Sequence, residues 1–228
     1  AHASSLESYT QVSPPACGCS LAQPPNNRTL SPFRYDMSCE RIEEGIGDAG
    51  DRYVVITSHF NLIERLHMLH GFAETLEDFY LAPKQVEQVL DMVLEWKLDH
   101  LREAHRRFGD RVHGVFLTDD WGSQNGTFVS PQVFNDFFAN RYRTLFGAVH
   151  DMGWHALLHS CGKVNEFVPM FIEAGADVLN MQQPQAYGIE EIGKAFAGKV
   201  CFLTTVDIQA TLPSEDTDAI RAEAHDLV

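Results

Sequence analysis

Five short apolar runs, each followed by a helical pattern, constrain this chain more than any other feature. They are Tyr53–Thr57, Val112–Leu117, Trp154–His159, Asp177–Asn180 and Val200–Leu203. Each is too short for a stable helix and is β-branched or bulky, which predicts a buried strand. Between them, apolar residues recur at helical spacing. Behind Pro83 the stripe is Val86, Leu90, Val93, Lys97, Leu101 and Ala104. Behind Ser130-Pro131 it is Phe134, Phe137, Phe138, Tyr142, Leu145 and Val149. Pro at a first turn and Ser just before it mark helix starts. Gly109, Gly153 and Gly175 mark the stops. Alternating units of this size predict a parallel sheet with helices outside.

A doubly wound sheet would carry a Gly-rich phosphate turn after an early strand. Here Thr57 is followed by Ser58-His59-Phe60-Asn61. The expected fold is therefore α/β, a (β/α)8 TIM barrel. It is expected to be partial, because a closed barrel takes about 250 residues and five units in 228 residues are too few. Residues 1–50, rich in Pro, Ser and Asn, read as an irregular lead-in, with a short helical turn near Arg41–Ile46. Residues 51–228 read as the barrel piece. The chain starts at Ala1 and stops at Val228 inside a helical pattern, which suggests a fragment.

In a barrel, chemistry collects where the strands finish, and each predicted strand finishes in polar residues. The first gives Ser58 and His59, the second Asp119 and Asp120, the third His159 and Cys161. The fourth gives Asn180 and Gln182, the fifth Thr205 and Asp207. Residues two apart on a strand share a side, so His159 and Cys161 aim at one spot if the extended geometry persists through Cys161. Imidazole and thiolate are ligands that zinc prefers, which makes the pair candidate metal ligands. Asp119 and Asp120 are candidate catalytic acids. Being adjacent, they point to opposite sides, so at most one faces the mouth and the other caps the next turn. His59, Asn180, Gln182 and Asp207 are candidate substrate-binding residues. Trp121, beside the acids, reads as packing.

Composition narrows the partners. A net charge of −15 repels nucleic acid and anionic membrane, so neither is expected as a partner. No apolar run approaches the ~20 residues that span a bilayer. There is no basic-then-apolar leader, and Cys161 and Cys201 lie in apolar runs as free thiols do. A cytoplasmic protein is expected. Cys17-Gly18-Cys19 is too tight for a standard zinc knuckle and reads as loop.

Several stretches taken together resemble a known family. They are Thr118-Asp119-Asp120-Trp121-Gly122-Ser123-Gln124-Asn125-Gly126, then Ser130-Pro131, then Leu158-His159-Ser160-Cys161-Gly162-Lys163-Val164. Asp177-Val178-Leu179-Asn180-Met181-Gln182, Asp207-Ile208-Gln209 and Thr211-Leu212-Pro213 follow. Their order and spacing, over about Tyr53 to Val228, resemble the uroporphyrinogen decarboxylase-like superfamily. That resemblance implies a (β/α)8 barrel and one of two chemistries. The heme-pathway branch decarboxylates tetrapyrroles, using an arginine-rich N-terminal segment and an early Asp, and nothing in this chain matches that segment. The other branch holds zinc-dependent methyltransferases that move methyl groups to or from corrinoid proteins. There, residues matching His159 and Cys161 are zinc ligands, and a third, a Cys, comes from a late strand. No candidate for that Cys follows Cys201, which itself begins a strand.

The expectation is a zinc-dependent methyltransferase with a corrinoid protein as partner. The alternatives are tetrapyrrole decarboxylation in porphyrin biosynthesis and a truncated, non-catalytic barrel. Open sheet edges would favour pairing with another chain, a homo-oligomer included.

Overall fold

A computed structural model describes residues 36–227. Helix α1 (Asp36–Gly47) leads into strand β1 (Val55–Ser58). Helices α2 (Ile63–His70), α3 (Phe72–Leu81) and α4 (Pro83–Phe108) carry the chain to β2 (Gly114–Thr118). Helices α5 (Pro131–Phe137) and α6 (Ala139–Asp151) precede β3 (His155–His159), and α7 (Val168–Ala174) precedes β4 (Val178–Met181). Helices α8 (Pro184–Tyr187) and α9 (Ile189–Phe196) precede β5 (Cys201–Thr204), and α10 (Thr217–Asp226) follows it.

The five strands form one parallel sheet in the order β1-β2-β3-β4-β5. Sequential order with helical crossovers is barrel topology, and five of the eight strands of a (β/α)8 barrel are present among the described residues. The sheet register decides what faces where. Ser58 pairs with Leu117, and Leu158 with both Leu117 and Leu179, which pairs with Phe202. This row faces the helices, and Leu117, Leu158 and Leu179 are buried there. The alternate row, Thr118, His159, Asn180 and Leu203, points to the inner face of the curve.

Local chemistry sets the element ends. Ser130 Oγ accepts from Val133 N–H at the start of α5, as expected of a cap. The stripe running through to Val149 is broken at Phe138 into α5 and α6. Pro169, which lacks an N–H, sits in the first turn of α7, after a tighter turn over Asn165–Phe167. Phe134, Phe138, Tyr142, Phe167 and Trp121 make one aromatic cluster, with Trp121 4.7 Å from Phe138 and 5.0 Å from Phe134 between ring centroids. Such edge-to-face pairs contribute about 0.5–1.5 kcal/mol each beyond burial.

The irregular lead-in needs correction over residues 36–47, where α1 forms. Ile42 and Ile46 pack against the core and Glu43 pairs with Arg111 at 2.6 Å. An amphipathic pair four apart was enough to recruit this segment to the barrel's flank. Cys17-Gly18-Cys19 and the rest of residues 1–35 lie outside the described residues. No described helix is long and apolar enough to cross a membrane.

Candidate metal centre

Strand β3 delivers His159 at its last position, where it pairs with Thr118 on one side and Asn180 on the other. The strand then ends, and Cys161 lies beyond it in a turn. The expected extended geometry through Cys161 does not persist, yet the two side chains still meet. Cys161 Sγ is 3.4 Å from His159 Nε2. What folds Cys161 back is a neighbouring loop. Asp120 Oδ1 accepts from Cys161 N–H at 2.8 Å, and Ser160 Oγ accepts from Trp121 N–H at 3.0 Å. Lys163 N–H donates to Ser123 O at 2.7 Å. Loops 119–126 and 160–163 thus clasp each other through two side-chain acceptors and one backbone pair.

The same clasp places the Asp120 carboxylate 3.5 Å from His159 Nε2. Donor atoms of Asp120, His159 and Cys161 all lie within 4.8 Å of one another. Carboxylate oxygen, imidazole nitrogen and thiolate sulfur are the three ligand types that zinc takes from proteins. Below them the Phe116 ring stacks on His159 at 6.1 Å. Behind them, Asn180 Oδ1 lies 2.7 Å from His159 Nδ1, and Gln182 Nε2 donates to Asn180 Oδ1 at 3.2 Å.

Electrostatics fit a cation. Burial, then the nearby Asp120 and Glu64 charges, push the Cys161 thiol up to about 12. Without a positive charge beside it, Cys161 stays a thiol; a bound metal inverts that logic. Glu64, on the first turn of α2, is pushed up to about 7 by burial and then by Asp119 and Asp120. The sequence reading missed Glu64. Its only signal was its place one short turn after a strand exit.

The other candidates are placed elsewhere. Asp119 is fully buried. Its oxygens accept from the backbone N–H groups of Leu62, Ile63 and Glu64, at 2.8, 3.2 and 2.9 Å, and from the Tyr142 hydroxyl. Burial still pushes its carboxyl up to about 6. Asp119 thus takes the capping role left open for one of the two acids, with both oxygens engaged and sealed from solvent. Asp207 is likewise buried and accepts from the N–H groups of Gln185, Gln209 and Ala210. It fixes the turn after β5. His59 is exposed, its ring 5.8 Å from Phe60, and it shares no hydrogen bond with the trio. Asn180 and Gln182 stand behind His159 rather than in front of it. Trp121 is buried, and its Nε1–H donates to the Tyr142 hydroxyl at 3.0 Å.

A second buried polar group was visible in the sequence but not interpreted. Lys97 interrupts the apolar stripe of α4, and in the structure its ammonium donates to Ser58 Oγ at 3.0 Å and His59 O at 2.6 Å. Burial, then Arg65, lower its pKa to about 7.

Among curated proteins, none matches the sequence. Among solved structures, a methyltransferase from Methanosarcina mazei superposes with a TM-score of 0.66 at 17% identity, over 82% of this chain and 53% of that one. The fold is shared, and this chain spans about half the length of that protein. The family profile described as Uroporphyrinogen decarboxylase (URO-D) matches residues 38–228. That match over most of the chain, on a five-stranded parallel run of barrel units, makes this chain a member of the uroporphyrinogen decarboxylase family.

Proposed function

We propose that this chain carries the metal-holding part of a zinc-dependent methyltransferase that acts on a small-molecule substrate with a corrinoid protein as methyl partner. One observation carries the reading: Asp120, His159 and Cys161 bring three zinc-type donors within 4.8 Å. His159 offers its imidazole from the end of β3. Cys161 offers its sulfur from the clasped turn. Asp120 offers a carboxylate where the superfamily resemblance implies a cysteine from a late strand. Zinc held there supplies a Lewis acid that keeps a thiol or similar acceptor in its anionic, nucleophilic form at neutral pH.

The decarboxylase alternative is less well supported. It asks for basic clamps around tetrapyrrole carboxylates, whereas the groups facing His159 and Cys161 are the acids Asp120 and Glu64. Like charges repel at such distances. Elemental analysis of the purified chain decides between the two. About one zinc per chain is expected, lost in Cys161→Ser and in His159→Ala. A chain that neither carries zinc nor takes it up, and instead binds a carboxylated tetrapyrrole, would overturn the proposal in favour of the decarboxylase.

A further inference from the structure

We propose that Asn180 is the positioning residue of this centre: its side-chain amide fixes His159 in the tautomer and ring orientation that leave Nε2 facing Asp120 and Cys161. The inference rests on the metal reading above and deepens it. Sequence alone had placed Asn180 among substrate-binding candidates.

Asn180 is 3% exposed on β4, in register with His159 of β3 and Leu203 of β5. Its Nδ2 donates to Leu203 O at 2.8 Å. A backbone carbonyl can only accept, so the nitrogen end of the amide must face β5. The reversed amide would set oxygen against oxygen on that side. The oxygen end therefore faces His159, and Gln182 Nε2, a donor, reaches that same oxygen at 3.2 Å. Asn180 Oδ1 can only accept, so the His159 Nδ1 lying 2.7 Å away carries the hydrogen. In neutral imidazole the other nitrogen then holds the lone pair. That nitrogen is Nε2, 3.4 Å from Cys161 Sγ and 3.5 Å from Asp120 Oδ1.

The ligand nitrogen is thus selected by a backbone carbonyl two strands away. A neutral amide does this without adding negative charge to a site already lined by Asp120 and Glu64. Partners of this kind hold ligand geometry, and their loss weakens metal affinity by about 10–100-fold.

The test uses the purified chain and two variants. Asn180→Leu keeps the branched shape and removes all three side-chain hydrogen bonds. Asn180→Asp keeps an acceptor toward His159. Nitrogen-15 NMR of the metal-free protein, at mildly alkaline pH, reads the His159 tautomer, assigned by comparison with His159→Gln. Competition with a chromophoric chelator reads zinc affinity. Wild type is expected to show Nδ1–H. Asn180→Leu is expected to show both tautomers and a zinc affinity lower by about 10–100-fold. Asn180→Asp is expected to keep the Nδ1–H tautomer but to lose stability, because its second oxygen meets Leu203 O. A wild-type Nε2–H tautomer overturns the proposal, as does a folded Asn180→Leu with unchanged tautomer and affinity. Should Asn180→Leu fail to fold, the wild-type tautomer decides. A wild-type chain that binds no zinc sinks the metal reading, while the tautomer still decides the role of Asn180.

Discussion

Replacing Asp119 with Ala strips an acceptor from three backbone N–H groups and a tyrosine hydroxyl at once, all of them buried. Lost capping and unsatisfied buried donors together cost about 2–4 kcal/mol. Asp120→Ala removes an acceptor from Cys161 N–H alone among backbone groups, worth about 1 kcal/mol, but takes a ligand from the metal set. Urea unfolding and zinc content should therefore separate the two acids: Asp119→Ala loses stability, Asp120→Ala loses metal. Equal destabilisation by both would contradict the division of roles. Lys97 gives a pH signature. Its folded pKa, about 7, lies below the ordinary 10.5. From pH 7 upward the unfolded chain holds a proton that the folded chain has released, so stability rises with pH. The slope is at most about 1.4 kcal/mol per pH unit. The upward shift of Glu64 acts in the opposite sense up to about pH 7, and that of Cys161 only above its ordinary value of 9.0. Denaturant midpoints measured from pH 7 to about 9 should climb in wild type and flatten in Lys97→Met; the same slope in both proteins would refute the buried-amine account.

The elements themselves do modest chemistry, and the turns between them assemble the site. Gly162 has φ +85°, and a Cβ there would lie 2.3 Å from Gly122 O and 2.6 Å from Ser123 O. Both offending atoms are backbone of the clasped loop, so neither can swing away. Gly162→Ala is expected to part the two loops, lower the melting temperature and lower zinc occupancy, because Cys161 is the next residue. A variant with wild-type zinc content and stability would show that the clasp does not hold Cys161. The strands, the long helix behind Pro83 and the Ser130 cap were legible because each depends on neighbours within a turn or two of chain. The lead-in helix α1 was legible only as a short turn near Arg41–Ile46, because its stripe is short and its anchor, Arg111, lies far along the sequence.

Among the described residues, the helices cover one face of the sheet and the inner face is open along its second row. Leu203 is 45% exposed on that face, and Thr57 and Cys201 are exposed beside it. An apolar surface of this kind binds reporter dyes such as anilinonaphthalene sulfonate. Leu203→Glu should weaken dye binding to the 228-residue chain and leave the far-ultraviolet dichroism unchanged; unaltered dye binding would mean that the inner face is covered in solution. The sequence by itself determined the alternation of strands and helices, the parallel sheet that follows from it, and the polar tips at each strand exit. These are local patterns, and hydrophobic periodicity writes them directly into the chain. Only the tertiary structure decided which tips meet. Asp119 and Asp120 are chemically identical neighbours, and a side chain's direction at the end of a strand depends on which loop clasps it. Likewise, the nitrogen that His159 presents follows from a carbonyl on β5, a contact between residues 44 positions further along through Asn180, which no local pattern encodes.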